Sequence, residues 1–147
     1  MATSTSSGAE VVVDSNYLIA LVNPLDSLHR QAVMLSRKLQ RSNGQAVISN
    51  YIFLETVTVL SQRVSRQEAV KTGTVLLADT TVRIIQISST LHNDSWEIFQ
   101  TIDKKNLSFV DCSTLAVLRH TGTESLLTFD TTDFGPLRKT YNFSFFG

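Results

Sequence analysis

The sequence predicts an α/β fold of three layers, with helices on both faces of a central, mainly parallel sheet. Short β-branched runs such as "EVVV" and "VRII" alternate along the chain with longer segments of helical periodicity. The strand-like runs are apolar at almost every position, which is typical of strands buried on both faces. Right-handed crossovers between parallel strands then bring all strand carboxyl ends to one edge of the sheet, where sites gather.

The chain between residues 10 and 79 is expected to form two strands and four helices. Asp14 follows the first strand, and Pro24 separates the next two helices because proline interrupts a helical run. Gly44 leads into the second strand, and Ser65 stands in a capping position before the fourth helix. The expected elements are a strand over 10–14, helices over 15–23 and 25–42, a strand over 46–50, and helices over 51–64 and 65–79.

The rest of the chain continues the same alternation. Strands are expected over 82–87 and 125–129, with helices over 90–104 and 107–122 between them. Gly122 marks the end of the second of these helices. The tail "YNFSFF" is a candidate for a fifth strand.

Length and composition predict one domain over residues 10–147, preceded by a loose tail over residues 1–9. The 147 residues, 42% of them hydrophobic, suffice for one sizeable core and are few for two. The tail lacks the basic start and apolar stretch of a secretory signal. No apolar run in the sequence approaches the ~20 residues of a membrane helix. The single Cys112 excludes an internal disulfide and an all-cysteine metal site, so we expect a cytoplasmic protein without a membrane partner.

Three acidic residues have positions near the predicted carboxyl edge that also allow an ordinary structural role. Asp14 and Asp130 each follow a strand, where an aspartate often caps the next helix. Glu55 lies in the early turns of the helix that leaves the second strand. It is opposite the apolar seam of that helix, so it is also compatible with a simple solvated residue.

Asp111 is a fourth acid with two interpretations. Ser108 and Asp111 match the S-x-x-[DE] capping pattern, in which the acid bonds to the amide of the capping residue. Asp111 also projects on the same side of its helix as Leu115 and Leu118, the apolar side that should face inward. An acid on that side requires a partner, because burying an unpaired carboxylate costs several kcal/mol.

Taken together, three segments of this sequence resemble the PIN-domain ribonucleases, and most closely their toxin branch, usually called VapC. These segments are "VVVDSNYLIALVN", "ISNYIFLETVTVL" and "LSFVDCSTLAVLRHTGTESLLTFDTTDF". The resemblance implies one acidic pocket built from Asp14, Glu55, Asp111 and Asp130. It places Asp133 where many relatives carry a second acid or a histidine. Cys112 stands where the family more often has alanine, a small-for-small change that should leave the site intact.

The implied pocket requires a cation. Two carboxylates ~4 Å apart repel by about 4 kcal/mol at an effective dielectric of ~20, so four of them cannot all stay ionised alone. Oxygen ligands without a His/Cys cluster favour Mg²⁺ or Mn²⁺ over Zn²⁺. We expect Asp14, Asp111 and Asp130 at the metal, with Asp14 and Asp111 as direct ligands and Glu55 and Asp130 acting through coordinated waters. Supporting roles are expected for Ser15, Asn16, Thr128 and Asp133.

The resemblance implies a metal-dependent endoribonuclease, the toxin of a toxin–antitoxin pair, with RNA as substrate and with an antitoxin and a second copy of the chain as partners. Lys plus Arg equals Asp plus Glu at 13 each, so RNA binding must rest on local basic patches rather than on net charge. A solitary RNA-processing nuclease and a non-catalytic PIN-like module remain open. A receiver-like phosphoacceptor domain is a further alternative, although it would pair adjacent acids after the first strand, where Asp14 stands alone.

Overall fold

The computed structural model describes residues 8–147, so residues 1–7 of the expected tail lie outside the described chain. The strands are β1 Glu10–Val13, β2 Gln45–Ser49, β3 Val82–Ile85, β4 Ser125–Leu127 and β5 Ser144–Phe145. The helices are α1 Ser15–Val22, α2 His29–Arg41, α3 Asn50–Arg63, α4 Arg66–Ala78, α5 Ser89–Thr101, α6 Phe109–Thr121, α7 Thr131–Phe134 and α8 Arg138–Tyr141, with a 3₁₀ turn over Gly135–Leu137 between the last two.

The five strands form one sheet in the order β3-β2-β1-β4-β5, and every neighbouring pair is parallel. The predicted three-layer α/β class is therefore confirmed. From β1 the chain first proceeds to β2 and β3 on one side, then crosses to β4 and β5 on the other side. The strand order thus reverses between β1 and β4, and in open α/β sheets the crevice at such a reversal is where ligands bind.

Each face of the sheet has its own core, because successive strand side chains point to opposite faces. On one face, Val12 packs in a cluster that contains Ile98 of α5 and Leu115 of α6. On the other face, Val11 and Val13 pack in a cluster with buried side chains from α1, α2, α3 and α4. Both alternating sets of β1 are buried, which accounts for the uninterrupted apolar run in the sequence.

The second helix is shorter than predicted. It was expected from residue 25 but begins at His29, so the prediction over residues 25–28 was wrong. Two side chains stabilise turns there instead: Asn23 Oδ1 accepts from the Leu25 amide at 3.1 Å, and Asp26 Oδ1 accepts from the Leu28 amide at 2.9 Å. Such local bonds compete with helix formation.

Several other boundaries differ from the predictions by one to three residues. The helix expected over 90–104 ends at Thr101, and the strand expected over 125–129 ends at Leu127. Residues 131–140, for which no element was predicted, and Tyr141, the first residue of the candidate fifth strand, form the short helices α7 and α8 and the turn between them. Within residues 8–147, no helix is both long and apolar enough to cross a membrane.

Candidate active site

Asp14 lies at the reversal point of the sheet, directly after β1. Its side chain is only 3% exposed, and its amide donates to the Leu127 carbonyl of β4 at 2.9 Å. Both carboxylate oxygens accept hydrogen bonds: Oδ1 from the Ser15 amide and Oδ2 from the Thr128 hydroxyl, each at 2.8 Å. Asp14 is also the residue that precedes α1, so the capping position considered from the sequence is occupied by a buried, hydrogen-bonded carboxylate.

The Thr128 hydroxyl is oriented by its other neighbours. It accepts from Asn16 Nδ2 at 3.2 Å and from the Asp130 amide at 3.0 Å. Asn16 is held in turn, because its Oδ1 accepts from the Phe129 amide at 3.1 Å. A hydroxyl has one proton to donate, so these contacts direct that proton to Asp14 and favour the ionised form of its carboxyl group.

Glu55 approaches the same place from α3. Its carboxylate accepts a short hydrogen bond from the Ser15 hydroxyl, which joins α3 to the first turn of α1. Glu55 is half-buried rather than fully solvated. The capping hydroxyl of Ser49, which accepts from the Ile52 amide at 3.1 Å, begins α3 at the end of β2 and thereby fixes where Glu55 falls.

Asp111 combines the two interpretations that the sequence left open, a capping residue and an inward-facing acid. Its Oδ2 accepts from the Ser108 amide at 2.9 Å, and its own amide donates to Ser108 Oγ at 3.1 Å, which is a complete capping box. The side chain is nevertheless half-buried. Burial raises the pKa of Asp111, and the carboxylates of Glu55 and Asp133 add to the increase against the opposing Ser108 bonds.

Asp130 and Asp133 complete the group from the start of α7. Asp130 precedes this helix but makes no side-chain capping bond, unlike an ordinary N-cap. Burial raises the pKa of Asp130, with further contributions from Asp133 and Asp111. The structure thus brings Asp133 into the same electrostatic group as the other acids.

Three of the four acids predicted from the sequence, Asp14, Asp111 and Asp130, have raised pKa values to which other acids of the pocket contribute. Burial, followed by the repulsion of Asp111, raises the pKa of Asp14 to about 7, although the Thr128 and Ser15 hydrogen bonds oppose this shift; Glu55 adds a smaller increase. A carboxyl group with such a pKa is about half protonated at neutral pH without a compensating cation. Structural ion-pair networks also perturb pKa values, but here the neighbours carry charge of the same sign.

The donor chemistry of the pocket fits a hard divalent cation. Each Asp14 oxygen accepts one hydrogen bond and keeps a second lone pair, and the other donors are carboxylates as well. Between residues 8 and 147, no three His, Cys, Asp or Glu side chains stand close enough together to hold an ion by direct contact alone. An ion in this pocket would therefore keep several waters, as Mg²⁺ commonly does in proteins.

A groove beside Glu55 was missed by the sequence analysis. Its lining includes Tyr51 and Phe109, which are aromatic residues in the first turns of α3 and α6. The available signal was spacing, because Tyr51 precedes Glu55 by one helical turn and Phe109 precedes Asp111 by two residues.

Comparison of the sequence with known proteins identifies one family model and one similar endonuclease. The family model described as PIN domain matches residues 11–137. The 23S rRNA-specific endonuclease VapC20 of Mycobacterium tuberculosis H37Rv is 31% identical over 121 residues, which is 82% of this chain and 88% of that protein.

Two solved structures show the same fold. The crystal structure of M. tuberculosis VapC20, a Sarcin-Ricin loop cleaving toxin, superposes with a TM-score of 0.75 at 29% identity and covers 86% of this chain and 93% of that one. A chain of a toxin-antitoxin complex from Klebsiella pneumoniae superposes with a TM-score of 0.59 at 26% identity, covering 84% of this chain and 89% of that one.

Proposed function

The chain belongs to the PIN-domain family, and from this membership we propose that it is a metal-dependent endoribonuclease that hydrolyses RNA phosphodiester bonds. The observation that carries the proposal is the group of mutually repelling carboxylates at the sheet reversal, with the buried Asp14 at its centre. A core position of this kind is costly for a structural acid, since an aliphatic side chain would be more stable there. It is useful for binding a cation.

In the proposed site, Asp14 and Asp111 would hold Mg²⁺ or Mn²⁺ as ligands, and Glu55 and Asp130 would act through coordinated waters. When bound, the ion supplies positive charge at the scissile phosphate and makes a water molecule more acidic. Ser15 orients Glu55, and Thr128 holds an oxygen of Asp14 in place and favours the ionised form of its carboxyl group. Asp133 adds negative charge near Asp111 and Asp130 and thereby strengthens the attraction of the pocket for the ion.

The proposed substrate is an unpaired loop of a structured RNA. VapC20 is named as specific for 23S rRNA and as cleaving the Sarcin-Ricin loop, and at 31% identity we infer the same class of substrate for this chain. Unpaired bases are accessible to protein side chains, whereas the bases of an A-form helix are not. Lys105 precedes α6, while Arg138 and Lys139 lie on α8. All three are exposed and have no ion-pair partner in the described chain. Arg138 Nε donates to the Gly135 carbonyl at 3.0 Å, so its terminal nitrogens and the two lysine ammonium groups are available to phosphates.

An RNA cleavage assay tests this proposal. Ribosomal RNA and isolated stem-loops are incubated with the protein, with Mn²⁺ or Mg²⁺, with a chelator, and with the variant Asp14→Asn. We expect discrete cuts that require the metal and are at least about 100-fold slower in the variant. Cutting that continues in the chelator, or at the wild-type rate in Asp14→Asn, would contradict the proposal.

We further propose that the chain is the toxin of a toxin–antitoxin pair acting in the cytoplasm. The related structure from K. pneumoniae is a toxin-antitoxin complex. A second groove of about 560 Å³ lies between α1, α2 and α4, away from the acids, and its apolar lining includes Leu21, Leu39 and Val75. An amphipathic antitoxin helix with its apolar side toward these residues would fit this groove.

Growth assays separate a toxin from a solitary processing nuclease. Expression of the wild-type chain should arrest growth, and co-expression of a small protein encoded beside its gene should restore it. In the variant Val75→Glu the charge would oppose docking in the groove, so growth should stay arrested despite the neighbour. The control Met34→Glu alters a similarly exposed apolar residue of α2 outside the groove lining and should be rescued. A wild-type chain that does not affect growth would favour the processing role.

The expected homodimer stays a prediction, and the α3–α4 pair is the surface that we propose for it. Val64, Val70 and Leu77 are large apolar side chains of this pair that stay 42%, 61% and 69% exposed. Scattered exposed valines are ordinary on a monomer, so the prediction depends on their lying on one helical pair. Sedimentation velocity of the wild type and of Leu77→Asp tests it, with dimers expected for the first and monomers for the second.

A further inference from the structure

The outer side of α2 carries a row of positive charge. Arg30, Arg37, Lys38 and Arg41 are all exposed, and they are called here the basic face of α2. At ~100° of rotation per residue, the four positions fall within ~100° of the helix circumference, so they share one side. The segment 27–54 contains no aspartate or glutamate, although acids and basic residues balance at 13 each in the whole chain. The basic face is therefore a local excess of positive charge in a neutral chain.

Helix stability does not account for this arrangement. Within residues 8–147 none of the four cations forms an ion pair, and residues 1–7 contain no acid that could provide one. The helix dipole favours Lys38 and Arg41 in the last turn of α2, but it disfavours Arg30 in the first turn. Arg37 and Arg41 are one helical turn apart, where like charges repel. The cations are therefore available to an external partner with negative charge.

The basic face begins near the edge of the sheet at which the acids lie. The far end of α2 is at the amino edge, because the Asn43 carbonyl accepts from the Gly8 amide, ahead of β1, at 2.9 Å. The 13 residues of α2 extend ~20 Å, which exceeds the ~13 Å of a four-residue strand, so α2 starts near the carboxyl edge. There His29 Nδ1 donates to the Ala20 carbonyl at 2.8 Å and joins α2 to α1, the helix that begins after Asp14.

The basic face is separate from the groove proposed for the antitoxin. The residues of α2 that line that groove include Ser36, Leu39 and Gln40, and none of the four cations is among the lining. The other cations proposed for phosphate contact belong to α8 and to the segment before α6, and these helices pack on the opposite face of the sheet. An RNA that crosses the acids at the carboxyl edge would therefore meet cations on both sides of that edge.

We propose that the basic face of α2 binds the sugar-phosphate backbone of the base-paired stem that adjoins the cleaved loop. The inference rests on the proposed ribonuclease function and adds where the RNA lies on the protein. A stem presents rows of phosphates that match a row of cations, and such contacts do not depend on base sequence. A second copy of the chain fits this face poorly, because a two-fold contact would place the face against itself, cation against cation.

The test compares two stem-loop RNAs that share one loop and differ in having a short or a long stem. The variant is Arg30→Gln/Arg37→Gln. The control Arg83→Gln/Arg119→Gln removes the same charge from two exposed arginines in the amino half of β3 and at the end of α6, away from the acids. Binding is measured over a range of salt concentrations in the cleavage-deficient background Asp14→Asn. Cleavage rates are measured with Asp14 intact and Mn²⁺ added.

We expect Arg30→Gln/Arg37→Gln to bind the long-stem RNA about tenfold or more weakly. The slope of log affinity against log salt should become shallower by about one for each phosphate contact that is lost. KM for this RNA should rise by the same factor with little change in kcat, and the loss should be much smaller with the short stem. The control should follow the wild type with both RNAs. Thermal stability should not fall in the variant, because its two arginines make no ion pair within residues 8–147.

A smaller charge change gives a graded version of this test. Met34 stands among the cations on the outer side of α2 and is 61% exposed. Met34→Glu lowers the charge of the basic face by one unit, so KM for the long-stem RNA should rise by only about threefold. This variant should still arrest growth when it is expressed without the neighbouring protein. An unchanged KM would count against the basic face as an RNA contact.

Four results would overturn the proposal. If Arg30→Gln/Arg37→Gln binds and cuts the long-stem RNA like the control, the stem contact is refuted while the ribonuclease stands. Equal losses with both stems would place the cations at the loop instead. Intact RNA binding combined with lost rescue in the growth assay would assign the basic face to the antitoxin. Absence of metal-dependent cutting by the wild-type chain would refute the ribonuclease function and the stem contact with it.

Discussion

At the scale of single residues, the Thr128 hydroxyl holds the acidic pocket together through its hydrogen bonds. It donates to Asp14 and accepts from Asn16 and from the Asp130 amide, so one oxygen atom links the ends of β1 and β4. The sequence allowed Ser15, Asn16 and Thr128 as supporting residues, because they flank the acids. Their partners could not be predicted, since Thr128 and Asp14 lie 114 residues apart in the chain and meet only through strand pairing.

Thr128→Val removes this hydroxyl at nearly constant volume. The Asp130 amide and Asn16 Nδ2 lose their acceptor, so we expect a loss of stability of about 1–3 kcal/mol. Without a donor, the Asp14 oxygen is no longer held, and Mn²⁺ affinity and RNA cleavage should fall by about 10–100-fold. Thr123→Val is the control, because Thr123 is also a buried threonine but precedes β4 at the opposite end. It should retain metal binding and activity, and an equal loss in both variants would argue for a purely structural hydroxyl.

The pH dependence of stability tests the environment of Asp14. Burial and Asp111 raise its pKa to about 7 in the folded chain, against ~3.9 in an unfolded one. The folded state then binds the proton more tightly, so this contribution to stability is fully present below pH ~4 and is lost as the pH rises through 7. At its full extent it amounts to roughly 4 kcal/mol. Asp14→Asn cannot titrate and lacks this dependence.

Urea unfolding in EDTA at pH 5 and pH 8 gives the comparison. Between these values the wild type should lose about 2–3 kcal/mol more of its unfolding free energy than Asp14→Asn does. The two proteins are compared by how their unfolding free energy changes with pH, because the side-chain amide of the Asp14→Asn variant also changes the hydrogen bonds to Ser15 and Thr128 at every pH. Parallel pH profiles would show that the Asp14 carboxyl group has an ordinary pKa in the folded protein.

At the scale of single elements, the first turn of α6 combines structure and chemistry. The sequence predicted both the capping box of Ser108 and Asp111 and the inward direction of Asp111, because both follow from residue spacing within one helix. The sequence presented these as alternatives, whereas the structure has both. A capping acid can also take part in a site when the helix begins at the carboxyl edge of the sheet.

Two variants separate these roles. Ser108→Ala removes the cap hydroxyl alone and should cost about 1 kcal/mol of stability while metal binding and activity persist. Asp111→Asn also weakens the cap, but it removes a repelling charge from the pocket. Its metal-free stability should therefore stay within about 1 kcal/mol of the wild type. The thermal stabilisation by added Mn²⁺ should shrink and cleavage should fall by at least about 100-fold.

Thermal melts with and without Mn²⁺, together with RNA cleavage rates, distinguish the outcomes. An Asp111→Asn protein that keeps its full Mn²⁺ stabilisation and its activity would return Asp111 to a capping role alone.

The long elements were predictable because their apolar patterns are set by burial over many residues. The predicted start of α2 at residue 25 was wrong because Asn23 and Asp26 form local turns that compete with the helix. The elements over 131–141 are four residues long or shorter, and a single turn has no periodicity to detect. Glu55 was the least certain acid from pattern alone, because its partner Ser15 belongs to a different helix.

At the scale of the whole molecule, the sheet order determines where the acids meet. The reversal between β1 and β4 places Asp14, Thr128 and Asp130 on adjacent strand ends, and α3 and α6 begin at the same edge and carry Glu55 and Asp111. The local sequence pattern predicts the element on which each acid lies. That the acids lie close together follows only from a parallel sheet with the strand order observed here.

The most direct test of this account is calorimetric titration of Mn²⁺ into the RNA-free protein at pH 7, in two buffers of different ionisation enthalpy. The variants are Asp14→Asn, Glu55→Gln, Asp111→Asn and Asp130→Asn, with Glu124→Gln, an exposed acid at the opposite end of β4, as control. We predict that the wild type and the control bind Mn²⁺ with release of a fraction of a proton, because the Asp14 carboxyl group must ionise to bind the ion. Each pocket variant should bind at least about tenfold more weakly, and Asp14→Asn should release least. Equal Mn²⁺ affinity in all five variants, or binding without proton release in the wild type, would contradict a single metal-binding carboxylate site.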